Sequence, residues 1–201
     1  MSRTPCLPLA AVLLAAGAAT RMGRQKQLLP YRGSTLVEHA AAQALAASFS
    51  PVIVVVGAGS QTVRASLAAL PVSIVENPLW EQGMGSSIAA GVSALLDTSS
   101  EAAAVAILLA DQPLVEAAAL LAMRDIFIHQ SPAIVAARYS GSLGVPALFA
   151  RRLFPALAAL KGQTGARALL HDPSQKVVAY DLPEAARDID TPADFASLTD
   201  D

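Results

Sequence analysis

Unbroken apolar runs alternate with segments of helical period along most of the chain. The string PVIVVV at 51–56 is β-branched throughout, the pattern of a strand covered on both faces. Similar runs at 9–14, 72–75 and 105–109, and weaker ones at 133–137 and 176–180, predict further strands. Between them the spacing predicts helices over 35–47, 62–70, 86–96 and 115–128, with Ser34 as N-cap of the first. Later helices are expected over 151–160, 165–171 and 192–198. Alternation of this kind implies an α/β protein: three layers, α/β/α, around a mainly parallel central sheet. The turn-rich stretch 139–146 predicts a β-hairpin, a small insertion over one end of the sheet.

Length and composition narrow the class. A chain of 201 residues suits a single domain over 1–201, and 54% apolar with 15% charged residues excludes disorder. The net charge of −2 argues against a general nucleic-acid binder. Cys6, alone, excludes a disulfide framework and a cysteine-based zinc cluster. Arg3, the apolar run at 7–14 and the small residues at 16–18 have the outline of a secretory signal. Pro5 and Pro8 interrupt it, however, and a dense motif follows at once. No run is long enough to span a membrane, so the expected location is cytoplasmic.

In open parallel sheets ligands sit beyond the carboxyl ends of the strands. After the first strand, residues 17–26 hold Gly17, Gly23 and the cations Arg21, Arg24 and Lys26. Glycine lets backbone amides approach phosphate oxygens, and cations neutralise the remainder. One cation about 4 Å from a phosphate charge contributes roughly 4 kcal/mol at an effective dielectric of 20. The loop is no Walker A motif, since no Gly-Lys-Ser/Thr occurs, and a solvated surface loop is the other reading. Asp111, directly after the run at 105–109, is placed either for a hard cation such as Mg²⁺ or to cap the next helix. Asp188 and Asp190 share parity, so in an extended segment they point the same way; Asp190 also fits an N-cap before Pro192.

These residues carry a family resemblance. LAAG at 14–17, RMG at 21–23, Lys26, LLP at 28–30 and Gly33 resemble the opening signature of nucleotidyltransferases of the molybdenum cofactor type. NPLW at 77–80, GMGSS at 83–87, LADQP at 109–113, GVP at 144–146, GQTGAR at 162–167 and DIDTP at 188–192 continue it in order. LAAG and ADQP are more similar to the cytidylyltransferases of that group than to its guanylyltransferases. The resemblance implies a Rossmann-like nucleotidyltransferase fold that transfers CMP from CTP to the terminal phosphate of molybdopterin cofactor. In it, Leu14, Ala15, Ala16, Gly17, Arg21, Met22, Gly23 and Lys26 would cradle the triphosphate, with Arg21 on the β- and γ-phosphates and Lys26 on the α-phosphate. Asp111 and Asp190, with Asp188, would hold Mg²⁺, while Asn77, Gly83, Ser86 and Ser87 would read base and ribose; Ser86 equally suits a helix cap. Arg21, Lys26 and Asp111 are the catalytic candidates, and a molybdoenzyme would receive the product. Gln163 stands where the family pattern leads one to expect Asp, and Val145 where a polar residue is expected. Both departures lie on the side expected to face the acceptor.

Other readings stay open from the residues alone. GTP, a sugar phosphate or another small phosphate are alternative substrates, and a non-catalytic pterin-binding protein is an alternative class. Gly57 and Gly59 after a strand, with Glu76 ending the next, partly match a nicotinamide-binding fingerprint, but Thr62 occupies its third glycine position. The string GSSIA at 85–89 partly matches a nucleophile elbow without a strand before it. His39, His129 and His171 read as surface or capping residues. Trp80 and Met84 either pack on a ligand or anchor a loop to the core.

Overall fold

The computed structural model describes residues 7–17, 25–57, 60–98 and 101–199. The expectations placed on Arg21, Met22 and Gly23, and those on Cys6, Arg24 and Gly59, lie outside the described residues. In chain order the first elements are β1 (Leu9–Ala15), β2 (Pro30–Tyr31), β3 (Ser34–Thr35), α1 (Leu36–Ala46), β4 (Val52–Val56), α2 (Ser60–Ser66) and β5 (Ser73–Glu76). Next come α3 (Met84–Asp97), β6 (Ala104–Leu109), α4 (Ala117–Gln130), β7 (Ile134–Tyr139) and β8 (Ser142–Ala150). The last are α5 (Phe154–Ala158), α6 (Arg167–Leu170), β9 (Val177–Asp181) and α7 (Pro192–Thr199).

Seven strands form one sheet in the order β5-β4-β1-β6-β8-β7-β9. β5, β4, β1 and β6 are mutually parallel, β7 and β9 are parallel, and β8 runs antiparallel to both β6 and β7. Strand parity explains the layers. Leu9, Ala11, Leu13 and Ala15 of β1 join α1 and α4 in one core, whereas Ala10, Val12 and Leu14 join α3 and α5 in the other. With both faces covered, an alternating polar pattern is ruled out, hence the unbroken apolar runs.

Two expectations need correction. The hairpin expected at 139–146 is present, as the turn and first half of β7–β8, but it is not an insertion over the sheet, since β8 is an internal strand between β6 and β7. The small separate hairpin is β2–β3, closed by Arg32 at φ 45° and Gly33 at φ 81°, the positive pair that a two-residue hairpin turn needs. The N-cap of α1 is Thr35, not Ser34. The Thr35 hydroxyl accepts from the Glu38 amide and the Glu38 carboxylate accepts the Thr35 amide, a reciprocal box, while the Ser34 hydroxyl turns to the carbonyls of Tyr31 and Thr35.

Gly91 fixes how closely α3 approaches the sheet. A Cβ there would overlap Val12 Cγ1 and lie 2.8 Å from Val55 Cγ2, both stiff core side chains. Gly91→Leu is therefore expected to cost about 3 kcal/mol or more through overpacking. That is a fall in Tm of roughly 6–12 °C at this chain length, readable by thermal melting.

A third, smaller cluster brings the chain's end back to its beginning. Ile189 and Leu198 bury against Leu29, Tyr31 and Leu36, and the Ile189 amide donates to the Asp111 carbonyl at 3.0 Å. Thr191 and Asp194 then exchange hydrogen bonds at the start of α7. The capping role is thereby filled by Thr191, and Asp190 is left to face elsewhere.

Candidate active site

A cleft of about 490 Å³ opens beyond the carboxyl ends of β1 and β6. Leu14, Ala15, Ala16, Gly17, Lys26, Gly83, Ser87 and Asp111 all line it, so eight of the expected positions share one cavity. Gln27, Trp80, Glu81, Met84 and Gln163 complete its wall with Leu109 and Ala110.

Lys26 opens a one-turn helix, Lys26–Leu28, placed by the packing of Leu29 below it. Its ammonium donates to Asp111 Oδ2 at 2.5 Å and to Asp190 Oδ1 at 2.9 Å. Burial alone would push Lys26 down, but the charge and hydrogen bond of Asp111, and those of Asp190, outweigh it and hold the amine above its ordinary value. Lys26 is thus a fixed positive charge at neutral pH rather than a proton acceptor. Asp188 stands close enough to sense the same group: its carboxyl is pushed up by burial first and then by Asp111 and Asp190.

Gln27 does a different job. Only 4% exposed, it donates from Nε2 to the Ala15 carbonyl at 3.0 Å and the Gly17 carbonyl at 2.5 Å. Both bonds pin the end of β1 where the LAAG string turns.

The opposite wall is built from two strings locked together. The Gly85 amide donates to the Gly162 carbonyl at 2.9 Å, and a Cβ at Gly85 would sit 2.7 Å from the Lys161 carbonyl oxygen. Gly83, at φ 112°, adopts a conformation that disfavours any side chain and faces Gln163. The close seating of α3 on the 161–165 turn brings Gln163 to the cleft.

Asn77 and Ser86 do not line the cleft. Asn77 is 3% exposed; its Nδ2 donates to the hydroxyls of Ser86 and Ser87 at 2.9 and 3.1 Å, and its Oδ1 accepts the Leu79 amide. Ser86 donates to the carbonyls of Leu79 and Gly83. Together they hold the turn before α3. Gln27 and Glu81 were not singled out from sequence. Gln27 acts on backbone carbonyls, which leave no mark in a residue pattern.

His39 is likewise no surface residue. It is buried edge-on to Tyr31 and donates from Nε2 to the Pro113 carbonyl at 3.1 Å, bracing the loop that starts at Asp111. Burial, helped by Arg32, holds its pKa below the ordinary value. A depressed histidine contributes stability that is complete above about pH 6.5 and is lost as pH falls through the folded-state pKa. Tm is expected to drop over that interval, and His39→Phe to flatten the drop, in melts recorded across pH.

A divalent cation fits the donor set in one respect and limits it in another. Asp111 Oδ1 is buried without a hydrogen-bond partner, an oxygen available to a hard cation beside Asp190. Among the described residues no group of three His, Cys, Asp or Glu side chains is arranged for a metal, so Asp188 does not complete a three-carboxylate cage. Two carboxylates suit an ion that draws its other ligands from phosphate and water.

A fixed cation between two carboxylates, beyond parallel strand ends and beside a pinned glycine turn, is suited to a ligand that carries phosphate and a cation. The model of the MobA-like NTP transferase domain matches residues 11–178, and the chain belongs to that family. It is 37% identical to nicotine blue oxidoreductase of Paenarthrobacter nicotinovorans, over 93% of each protein. It is 31% identical to purine catabolism protein PucB of Bacillus subtilis, over 92% of each. Rv0371c of Mycobacterium tuberculosis H37Rv superposes with a TM-score of 0.81 at 30% identity, covering 96% of this chain and 99% of that one. That relative has also been crystallised in complex with manganese. Among the described residues no helix is long and apolar enough to cross a membrane.

Proposed function

We propose that residues 1–201 act as one nucleotidyltransferase domain that moves CMP from CTP onto the terminal phosphate of molybdopterin cofactor. The products are molybdopterin cytosine dinucleotide and pyrophosphate; the metal is Mg²⁺, the compartment the cytoplasm, and a molybdoenzyme the recipient. The observation that carries this reading is the Lys26 ammonium held between Asp111 and Asp190 at 2.5 and 2.9 Å in a cleft of nucleotide size. LAAG at 14–17 and ADQP at 110–113 support the cytidylyl assignment.

The triphosphate competes for Lys26. Its ammonium leaves the carboxylates for the α-phosphate, where charge builds up during in-line attack, and no longer competes with the metal for Asp111 and Asp190. Asp111 and Asp190 would hold Mg²⁺, which would supply charge neutralisation to the triphosphate. The Ala15–Ala16–Gly17 backbone, held open by Gln27, offers its amides to the phosphates, and Arg21 takes the β- and γ-phosphates that leave. Gly83 and Ser87 border the sugar and base, on a wall that Asn77 and Ser86 keep rigid. No covalent enzyme intermediate is required, because positioning and charge compensation supply most of the rate.

The test is pyrophosphate release by the purified protein given CTP, GTP or UTP with Mg²⁺ or Mn²⁺. The acceptors offered are molybdopterin cofactor, a sugar phosphate and methylerythritol phosphate. Fastest release is expected with CTP, Mg²⁺ and molybdopterin cofactor. Release with GTP, or with another acceptor, reassigns that substrate; no release with any pair leaves a pterin-binding protein. A parallel incubation with NADPH tests the reaction class in the name of the relative from Paenarthrobacter. Pyridine nucleotide oxidation without pyrophosphate would overturn the proposed reaction.

A further inference from the structure

Trp80 is the only tryptophan of the chain and stands on the cleft wall, yet no step above employs it. Its placement is unusually constrained. The residue opens a one-turn helix, Trp80–Gln82, between β5 and α3. Its own amide reaches the Asn77 carbonyl at 3.3 Å, and the buried Asn77 side chain ties Leu79 on one side to Ser86 and Ser87 on the other. Beneath it lies Gly57, at the end of β4. A Cβ at Gly57 would fall 2.7 Å from Trp80 Cγ and 2.7 Å from the Ala16 carbonyl oxygen. The indole therefore rests on bare backbone, against the LAAG turn, where any larger residue would displace it. That packing accounts for the Gly57 half of the nicotinamide-like string; Glu76, its acidic half, instead pairs with Arg64 at 3.6 Å.

We propose that Trp80 is the stacking platform for the nucleobase of the bound nucleoside triphosphate, with Gly57 the positioning residue that allows the indole to sit there. The inference rests on the proposed function and deepens it. β5 and β6 flank the β4–β1 pair on opposite sides. The Lys26–Asp111 end of the cleft, after β6, and the Trp80 end, after β5, therefore lie across β1 from each other. Charge at one end and a flat apolar ring at the other is also the polarity of a nucleoside triphosphate. A rigid two-torsion side chain adds contact area at little entropic cost, and stacking tolerates any base. Trp80 thus contributes affinity, while the choice between CTP and GTP falls to polar groups around it.

The sole indole makes the test direct. Emission of the intact protein, excited at the red edge of its absorption, is followed while CTP, GTP, inorganic triphosphate or a free pterin is added, with calorimetry in parallel. CTP and GTP are expected to change the emission saturably, with midpoints matching the calorimetric Kd, whereas triphosphate binds with little change. Trp80→Leu is expected to weaken CTP binding roughly tenfold or more, raising KM while kcat stays near wild type, and Trp80→Phe to restore most of the affinity. Gly57→Ala, by displacing the indole, is expected to shift the emission of the free protein and weaken CTP as well. Calorimetric CTP binding with silent emission, or unchanged affinity in folded Trp80→Leu, overturns this inference and leaves the proposed function standing. A response to pterin and none to nucleotide does the same by making Trp80 part of the acceptor site. No binding of any nucleotide, together with no pyrophosphate release, overturns both.

Discussion

Lys26→Ala is expected to lower kcat by roughly 10³-fold, about 4 kcal/mol of transition-state stabilisation, while the protein still folds. Its ammonium donates to both carboxylates, at 2.5 and 2.9 Å, so its loss removes the charge that joins them. Removing it takes away the cation that bridges Asp111 and Asp190 but opens no cavity in either main core. The same change makes a second, opposite forecast. Without the ammonium competing for Asp111 and Asp190, Mn²⁺ alone should raise the Tm of Lys26→Ala by more than it raises that of wild type. A purely structural lysine would predict loss of fold and no such gain. Lys26→Arg is not expected to rescue kcat, because a planar fork cannot replace a point charge on a single phosphate oxygen. Near-normal turnover by a folded Lys26→Ala protein would defeat the assignment.

Much of the fold was legible because parity is strict where both faces of a strand are buried. β1 sends Leu9, Leu13 and Ala15 one way and Ala10, Val12 and Leu14 the other, leaving no polar position to confuse the pattern. β8 was not legible for the converse reason. Gly144 and Pro146 look like turn residues, and Pro rarely sits inside a sheet. Here the β7–β8 register slips between Ala136 and Ala137, opposite that segment, and the ladder tolerates the missing donor. The site was legible through its ordered strings and not through spacing. Lys26 lies 85 positions from Asp111 and 164 from Asp190, and the burial of Ile189 beside Leu29 and Leu36, with its amide on the Asp111 carbonyl, returns the last of these. Asn77 and Ser86 are not among the residues lining the cleft, which the sequence does not reveal because a polar side chain beside a glycine turn reads the same whether it holds backbone or ligand. The difference is where its hydrogen bonds go, and those of Asn77 and Ser86 go to neighbouring hydroxyl and backbone groups.

Asp111→Asn is expected to lower kcat/KM by at least about 10²-fold and to move the Mg²⁺ titration to roughly tenfold higher concentration or beyond. The carboxamide keeps the shape of Asp111 and lets Lys26 retain Asp190, so Tm should change by little. What is lost is one of two negative charges, together with the orphan oxygen Oδ1, for which a neutral amide oxygen is a poor substitute toward a hard cation. Asp190→Asn is the internal comparison. Its side chain is 45% exposed against 19% for Asp111, so solvent already screens more of its charge. The order of effect should therefore be Asp111 greater than Asp190, with Asp188→Asn the mildest because no three-carboxylate group forms among the described residues. Initial rates against Mg²⁺ for the three variants decide the matter. Equal metal curves for wild type and Asp111→Asn would remove Asp111 from the metal site and reduce its role to orienting Lys26.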